Sequence, residues 1–254
     1  SFLVAVSFPA AAQKQTPPEG GPPKAFHVPT PQIYTLPNGM KLVMLPKTSR
    51  GATVNATIQL SFGDETSVAG LAATANLTGA LLGRATRTRT RQQLQDEMLK
   101  LNARINVTGS ATRATATINT TEANLAAALR LAIEILREPS FTDEDFDQVK
   151  KQRVAGIENN RTDPAALANL ALSRAMNTFP RGDVRYVGTL DEQFEDVNAV
   201  TLDAVRTFQA RFFGASHGEM VVVGQFQDGA VREAAAVLGT WSVPAPYARI
   251  TTPY

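Results

Sequence analysis

The amino-acid sequence predicts an α+β domain whose mixed, largely antiparallel sheet is covered by helices. Three observations predict it. Several segments alternate apolar and polar residues with period two, as half-buried strands do. Others repeat apolar residues at helical spacing, which marks amphipathic helices. Strands come in groups with helices gathered between them, whereas a doubly wound parallel sheet needs strict alternation of the two. The 254 residues are about as many as one hydrophobic core can serve.

Taken in order, Ile33–Leu36 and Lys41–Leu45 flank Pro37-Asn38-Gly39, a turn signal between two strand-like runs. Residues 52–62 form a third strand, with Val54, Ala56, Ile58 and Leu60 on one face and Asn55, Thr57 and Gln59 on the other. Residues 66–82 switch to helical period through Val68, Leu71, Ala72, Ala75 and Leu82. A more polar helix follows over Thr90–Leu101, with Leu94, Met98 and Leu101 as its stripe. Arg104–Thr108 and Arg113–Asn119 read as strands. Helices are expected over Glu122–Arg137, from about Thr142 to Asn160, and over Pro164–Met176. Thr142 with Asp145 fits an N-cap, and Pro164 suits a first helical turn. After a loop come a helix over Thr201–Phe213, a continuous apolar strand over Met220–Val223 and a closing helix over Asp228–Leu238.

Composition narrows the function classes. Hydrophobic residues are 43% and charged residues 19%, as in ordinary globular proteins. A formal net charge of +2 gives no ground for a nucleic-acid partner. Without cysteine there are no disulfides, thiolate nucleophiles or thiolate metal ligands. Phe2–Phe8 is a short apolar run followed by Ala10-Ala11-Ala12. Residues 1–12 are therefore read as the back half of a secretory signal peptide, cut before Gln13. The mature form is expected to be periplasmic or secreted and to have no membrane segment. Residues 13–32 carry Pro17, Pro18, Pro22, Pro23, Pro29 and Pro31 and read as an extended linker. The domain proper is placed at 33–243, and 244–254 is read as the start of a connector to a further domain.

Candidate chemistry is sparse. The two histidines, His27 and His217, have no second histidine near them in sequence. A catalytic zinc normally takes three N, S or O ligands and leaves one position open. Gly214-Ala215-Ser216-His217-Gly218 matches the G-x-S-x-G nucleophile elbow. That elbow lies between a strand and a following helix; here the predicted order is reversed, and no histidine follows His217. Arg84, Arg87, Arg89 and Arg91 are interleaved with threonine and not with the aromatic residues that stack on bases, so they read as a solvated loop and helix start. No glycine array suited to cradling phosphate is present. Four N-x-T triplets, beginning at Asn55, Asn76, Asn106 and Asn119, are read as polar strand and helix faces.

The motifs taken together resemble a known family. Leu36-Pro37-Asn38-Gly39-Met40-Lys41-Leu42-Val43 is similar to the LxNGLxV opening of an insulinase/pitrilysin zinc peptidase domain. Phe62-Gly63-Asp64-Glu65 resembles the segment leading into the first helix, and Gly70-Leu71-Ala72 the entry to the zinc helix. Phe141 and Phe146, Asp163-Pro164 and Met220-Val221-Val222-Val223-Gly224 fit later elements of the same pattern. The resemblance covers about 33–243 and implies a domain like one of those in mitochondrial processing peptidase and insulinase.

In active members the first helix carries H-x-x-E-H, which sets two histidines on one face around a general-base glutamate. A glutamate on a later helix completes the ligand set. Here Ala73 and Leu77 stand at the histidine positions and Asn76 at the base position. The stretch Gln148–Ile157, where the third ligand is expected, has no Asp or Glu; Glu158 is the nearest candidate. The Arg-x-x-x-x-x-x-Tyr helper pair of some partner domains is not evident, since Arg185 and Tyr186 are adjacent. The resemblance thus implies no catalytic residue, metal ligand or cofactor in this chain. The implied role is a non-catalytic domain of an exported metallopeptidase, forming part of a peptide chamber with a zinc-bearing domain or subunit and contacting an extended peptide substrate. The alternatives are a structural or assembly subunit and a stand-alone peptide-binding module, neither with a peptidase role.

Overall fold

The computed structural model describes residues 29–251 except Ser49 and Pro244. His27 and the segment read as a signal peptide lie outside the described residues, as does most of the linker. The described residues form six strands, β1 (Gln32–Thr35), β2 (Lys41–Pro46), β3 (Thr53–Ser61), β4 (Arg104–Gly109), β5 (Arg113–Thr121) and β6 (Glu219–Gly224). The helices are α1 (Ala72–Leu81), α2 (Arg91–Lys100), α3 (Leu125–Arg137), α4 (Asp143–Asn160), α5 (Pro164–Ala175), α6 (Leu190–Ala199), α7 (Leu202–Phe212) and α8 (Asp228–Gly239).

The strands make one sheet in the order β1-β2-β6-β3-β5-β4. Only β2 and β6 pair in parallel; the other neighbours are antiparallel. The β1–β2 hairpin turns at Pro37-Asn38-Gly39. Gly39 N donates to Leu36 O at 2.9 Å, and Gly39 takes φ +92°, a conformation that glycine adopts without steric cost. Asn38 Nδ2 donates to the carbonyls of Leu238 and Trp241, which ties this turn to the end of α8.

Alternation decides which face of the sheet is covered. Val54, Ala56, Ile58 and Leu60 are buried, and the register sets them beside Ala114, Ala116 and Ile118 of β5 and Met220 and Val222 of β6, all buried. The helices pack over this face. α3 contributes Leu125, Leu129, Ile133 and Leu136, and α7 contributes Val205, Phe208 and Phe212. The opposite face is polar around Asn55 and Asn119, which hydrogen-bond across β3 and β5 at 2.8 Å. A smaller cluster of Leu94, Leu101, Leu131 and Ile135 seats α2 against α3, with Ile105 and Val107 of β4 packed on it. The α+β class and the mixed, mostly antiparallel sheet agree with the sequence expectation.

Some details differ from that expectation. α1 begins at Ala72 and not near residue 66. Residues 64–67 instead close a turn in which the Asp64 carboxylate accepts from Ser67 N and Ser67 Oγ accepts from Asp64 N, both short-range bonds that compete with helix. The Ser67 N–H, followed by the Ser67 hydroxyl, holds the Asp64 carboxyl below its usual range. The stretch before Thr201, read as a loop, contains α6. The apolar run in β6 is buried on one face only, since Val221 and Val223 are half-buried. Residues 245–251 lie along the domain: Ala248 N donates to Gly63 O, Tyr247 stacks on His217, and Arg185 donates to the Thr251 carbonyl.

Candidate functional site

α1, α4, α6 and the end of β4 enclose a cleft of about 1000 Å³. Each wall has an identifiable local cause. α1 is brought against β4 by two glycines: a Cβ on Gly79 would lie 2.5 Å from the Gly109 carbonyl oxygen. The Thr78 hydroxyl, fully buried, donates to Thr74 O within the helix. α4 starts at Thr142, whose Oγ1 accepts from Asp145 N, and buries Phe146, Val149 and Ile157. α6 opens with a capping box in which Thr189 Oγ1 accepts from Glu192 N and the Glu192 carboxylate accepts from Thr189 N. The fourth wall is β4, the last strand in the sheet order, which pairs only with β5 among the described strands and so leaves one edge unpaired.

The three α1 residues singled out by the resemblance face this space. Ala73, Asn76 and Leu77 all line the cleft; Asn76 is exposed to it, Ala73 is half-buried and Leu77 is buried. Across from them α4 presents Val149, Gln152, Arg153 and Ile157. Glu158 is not part of the lining and pairs with Arg161 at 3.0 Å. The fold thus brings α1 and part of the 148–157 stretch to one cleft. The donor set does not fit zinc. Methyl and isobutyl groups stand on α1, and an amide and a guanidinium stand on α4, so no imidazole, thiolate or unpaired carboxylate is offered. Among the described residues, no three His, Cys, Asp or Glu side chains are grouped as a metal site would need.

The ionised groups at the other end of the cleft are paired. Arg181 donates to Asp196 at 3.1 Å and to Glu192 at 3.3 Å, and the hydrogen bond to Asp196 is the main cause of its raised pKa. Asp183 receives Arg185 at 2.9 and 2.7 Å, and that guanidinium holds its carboxyl below the usual range. The Thr189 N–H, followed by the Tyr186 hydroxyl, lowers the Glu192 pKa. Arg185 also lies 4.0 Å over the Phe179 ring and pairs with Glu65. Arg185 and Tyr186 therefore act as struts for the loop before α6, and Tyr186 lines the cleft beside Gly182.

The other sequence candidates fall elsewhere. Ser216 and His217 lie between α7 and β6, and Gly218 N donates to Ala215 O in a helix-to-strand turn. The arginines read as a solvated loop are held by carboxylates: Arg84 by Asp145, Arg87 by Glu138 and Arg89 by Glu134. The sequence reading missed α6 and its cleft residues Gln193, Asp196 and Val197. The signal was present in Thr189-x-x-Glu192 followed by Phe194 and Val197.

No protein-family model matches the chain, and no curated sequence does. Solved structures do match it. A peptidase M16 inactive domain from Pseudomonas fluorescens superposes with a TM-score of 0.74 at 20% identity, over 89% of this chain and 54% of that one. The fold is that of an M16 peptidase domain. A protease from Helicobacter pylori shares this fold with a TM-score of 0.72 at 18% identity, over 90% of this chain and 54% of that one. A ferredoxin protease in complex with Arabidopsis ferredoxin shares it with a TM-score of 0.67 at 17% identity, over 86% of this chain and 25% of that one. The chain therefore spans about half the length of the first two and a quarter of the third.

Proposed function

We propose that this chain is a non-catalytic, insulinase-like domain of an exported zinc metallopeptidase, forming one wall of a peptide-binding chamber with a zinc-bearing partner. One observation carries the reading. The cleft that brings α1 beside an unpaired sheet edge is kept open, while Ala73, Asn76 and Leu77 give it no metal ligand and no general base. An extended peptide can add to such an edge through main-chain hydrogen bonds, with alternate side chains entering the cleft. Cleavage by this mechanism also needs a metal to lower the pKa of water and a carboxylate to take its proton. An asparagine amide cannot take that proton.

The partner role is supported by α5. Its N-cap is sound, with Asp163 Oδ1 accepting from Ala165 N and Ala166 N, yet the helix buries no residue. Leu167 and Leu172 on it and Met176 at its C-cap are 42%, 59% and 78% exposed. The occupant proposed for this apolar helix is a second domain of M16 type, since this chain covers only 54% of each of two solved structures that share its fold. The signal-like start supports export.

The test is a cleavage assay on an unstructured peptide, using this chain alone, an H-x-x-E-H-bearing M16 polypeptide from the same organism alone, and the two together. The expected result is no cleavage by this chain, and association with the partner that raises its activity and is lost in Leu172→Glu. Chelator-sensitive cleavage by this chain alone, or a partner fully active by itself with no association, contradicts the proposal.

A further inference from the structure

Among the described residues, one charge in the cleft has no counter-ion. Four ionised side chains line it: Arg153, Arg181, Asp183 and Asp196. Arg181 is engaged by Asp196 and Glu192, and Asp183 by Arg185. The Arg153 side chain makes no hydrogen bond or ion pair with any described residue. It projects from α4 beside the buried Val149 and Ile157, opposite the α1 face that carries Asn76. Arg153 is exposed to the cleft, so its guanidinium is free to meet an anion that enters there.

We infer that the cleft selects extended peptides that carry a carboxylate, and that Arg153 receives it. This rests on the peptide-cleft reading and adds the chemical class of the ligand. A strand laid along β4 passes Val107, Thr108 and Gly109, so side chains on one of its faces enter the space that Arg153 shares. The guanidinium fork matches a carboxylate in two parallel N–H···O bonds. Phosphate groups on peptides are typically read by clusters of arginines, whereas Arg153 is the single unpaired one lining this cleft. The carboxylate belongs either to a Glu or Asp side chain or to the peptide C-terminus.

The test is calorimetric titration of the purified chain at low salt with four N-acetylated nonapeptides of Ala, Ser and Val. They carry a central Glu or its Gln counterpart, and each ends in a free acid or an amide. The expected result is binding about two- to fivefold tighter for a carboxylate-bearing peptide than for the Gln amide, as one exposed ion pair supplies. The Glu amide and the Gln acid tell the side chain from the terminus. Arg153→Gln should erase the preference without changing the melting temperature, because the residue is exposed, and Arg153→Lys should keep part of it. Equal affinity for all four peptides, or a preference that survives Arg153→Gln, overturns this inference and leaves the peptide cleft standing. No binding of any peptide at millimolar concentration overturns both.

Discussion

Phe62→Ala is expected to destabilise the domain by about 3–5 kcal/mol, the usual cost of emptying a buried aromatic site. Phe62 is 2% exposed at the end of β3 and lies within 5.0 Å of the Phe213 ring, centroid to centroid. Its ring also meets Phe208 and Phe212, both of α7, at 6.0 Å. These four rings fix the start of the 63–71 segment that delivers α1 to the cleft. At this chain length the loss corresponds to a fall of roughly 10 °C in melting temperature. Thermal unfolding followed by circular dichroism measures it. A fall of less than 3 °C would show that the rings are not packed as described, since about 1 kcal/mol accounts for a shift of that size.

Gly79→Ala is expected to destabilise although alanine is the better helix former. Within a helix the exchange gains about 1 kcal/mol from backbone entropy. Against that, the new Cβ meets Gly109 O at 2.5 Å and Gly109 C and Cα at 2.7 Å, all backbone atoms that cannot rotate away. Overpacking of this kind costs about 1–3 kcal/mol or more, so the clash wins and α1 must lift from β4. Gly156→Ala is the matched control. It lies in α4 with nothing within 4 Å of the added Cβ, and it should stabilise by up to about 1 kcal/mol. Peptide affinity should fall in Gly79→Ala and stay unchanged in Gly156→Ala. A stabilised Gly79→Ala would mean that α1 and β4 do not approach as closely as the two glycines allow.

Most of the fold was legible because its period is local. β3 and β5 alternate cleanly, and each residue's neighbours two positions away determine its face. Caps were legible at Thr142 and Pro164 for the same reason. α6 was missed because Leu190, Phe194 and Val197 are diluted by five polar residues, and only the capping box at Thr189 and Glu192 marks it. The early start given to α1 came from apolar spacing alone. Gly70 takes φ +72° and donates its N–H to Gly182 O, so the chain between 66 and 71 is tied to a distant loop. The cleft itself was not legible as a cavity. It is assembled from segments separated by up to about 120 residues, and no local pattern records that Arg153 lacks a partner while Arg181 has three nearby carboxylates. Ala73, Asn76, Leu77 and the 148–157 stretch were singled out through the resemblance and not through any local pattern; the cleft is lined by those three and by Val149, Gln152, Arg153 and Ile157.

The claim that this site cannot hold zinc is tested most directly by elemental analysis of the purified chain. The protein is equilibrated with zinc, then dialysed without chelator. With alanine, leucine and asparagine on α1 and glutamine and arginine on α4, the chain is predicted to retain far less than one zinc per molecule. Retention of one zinc per chain would contradict the account.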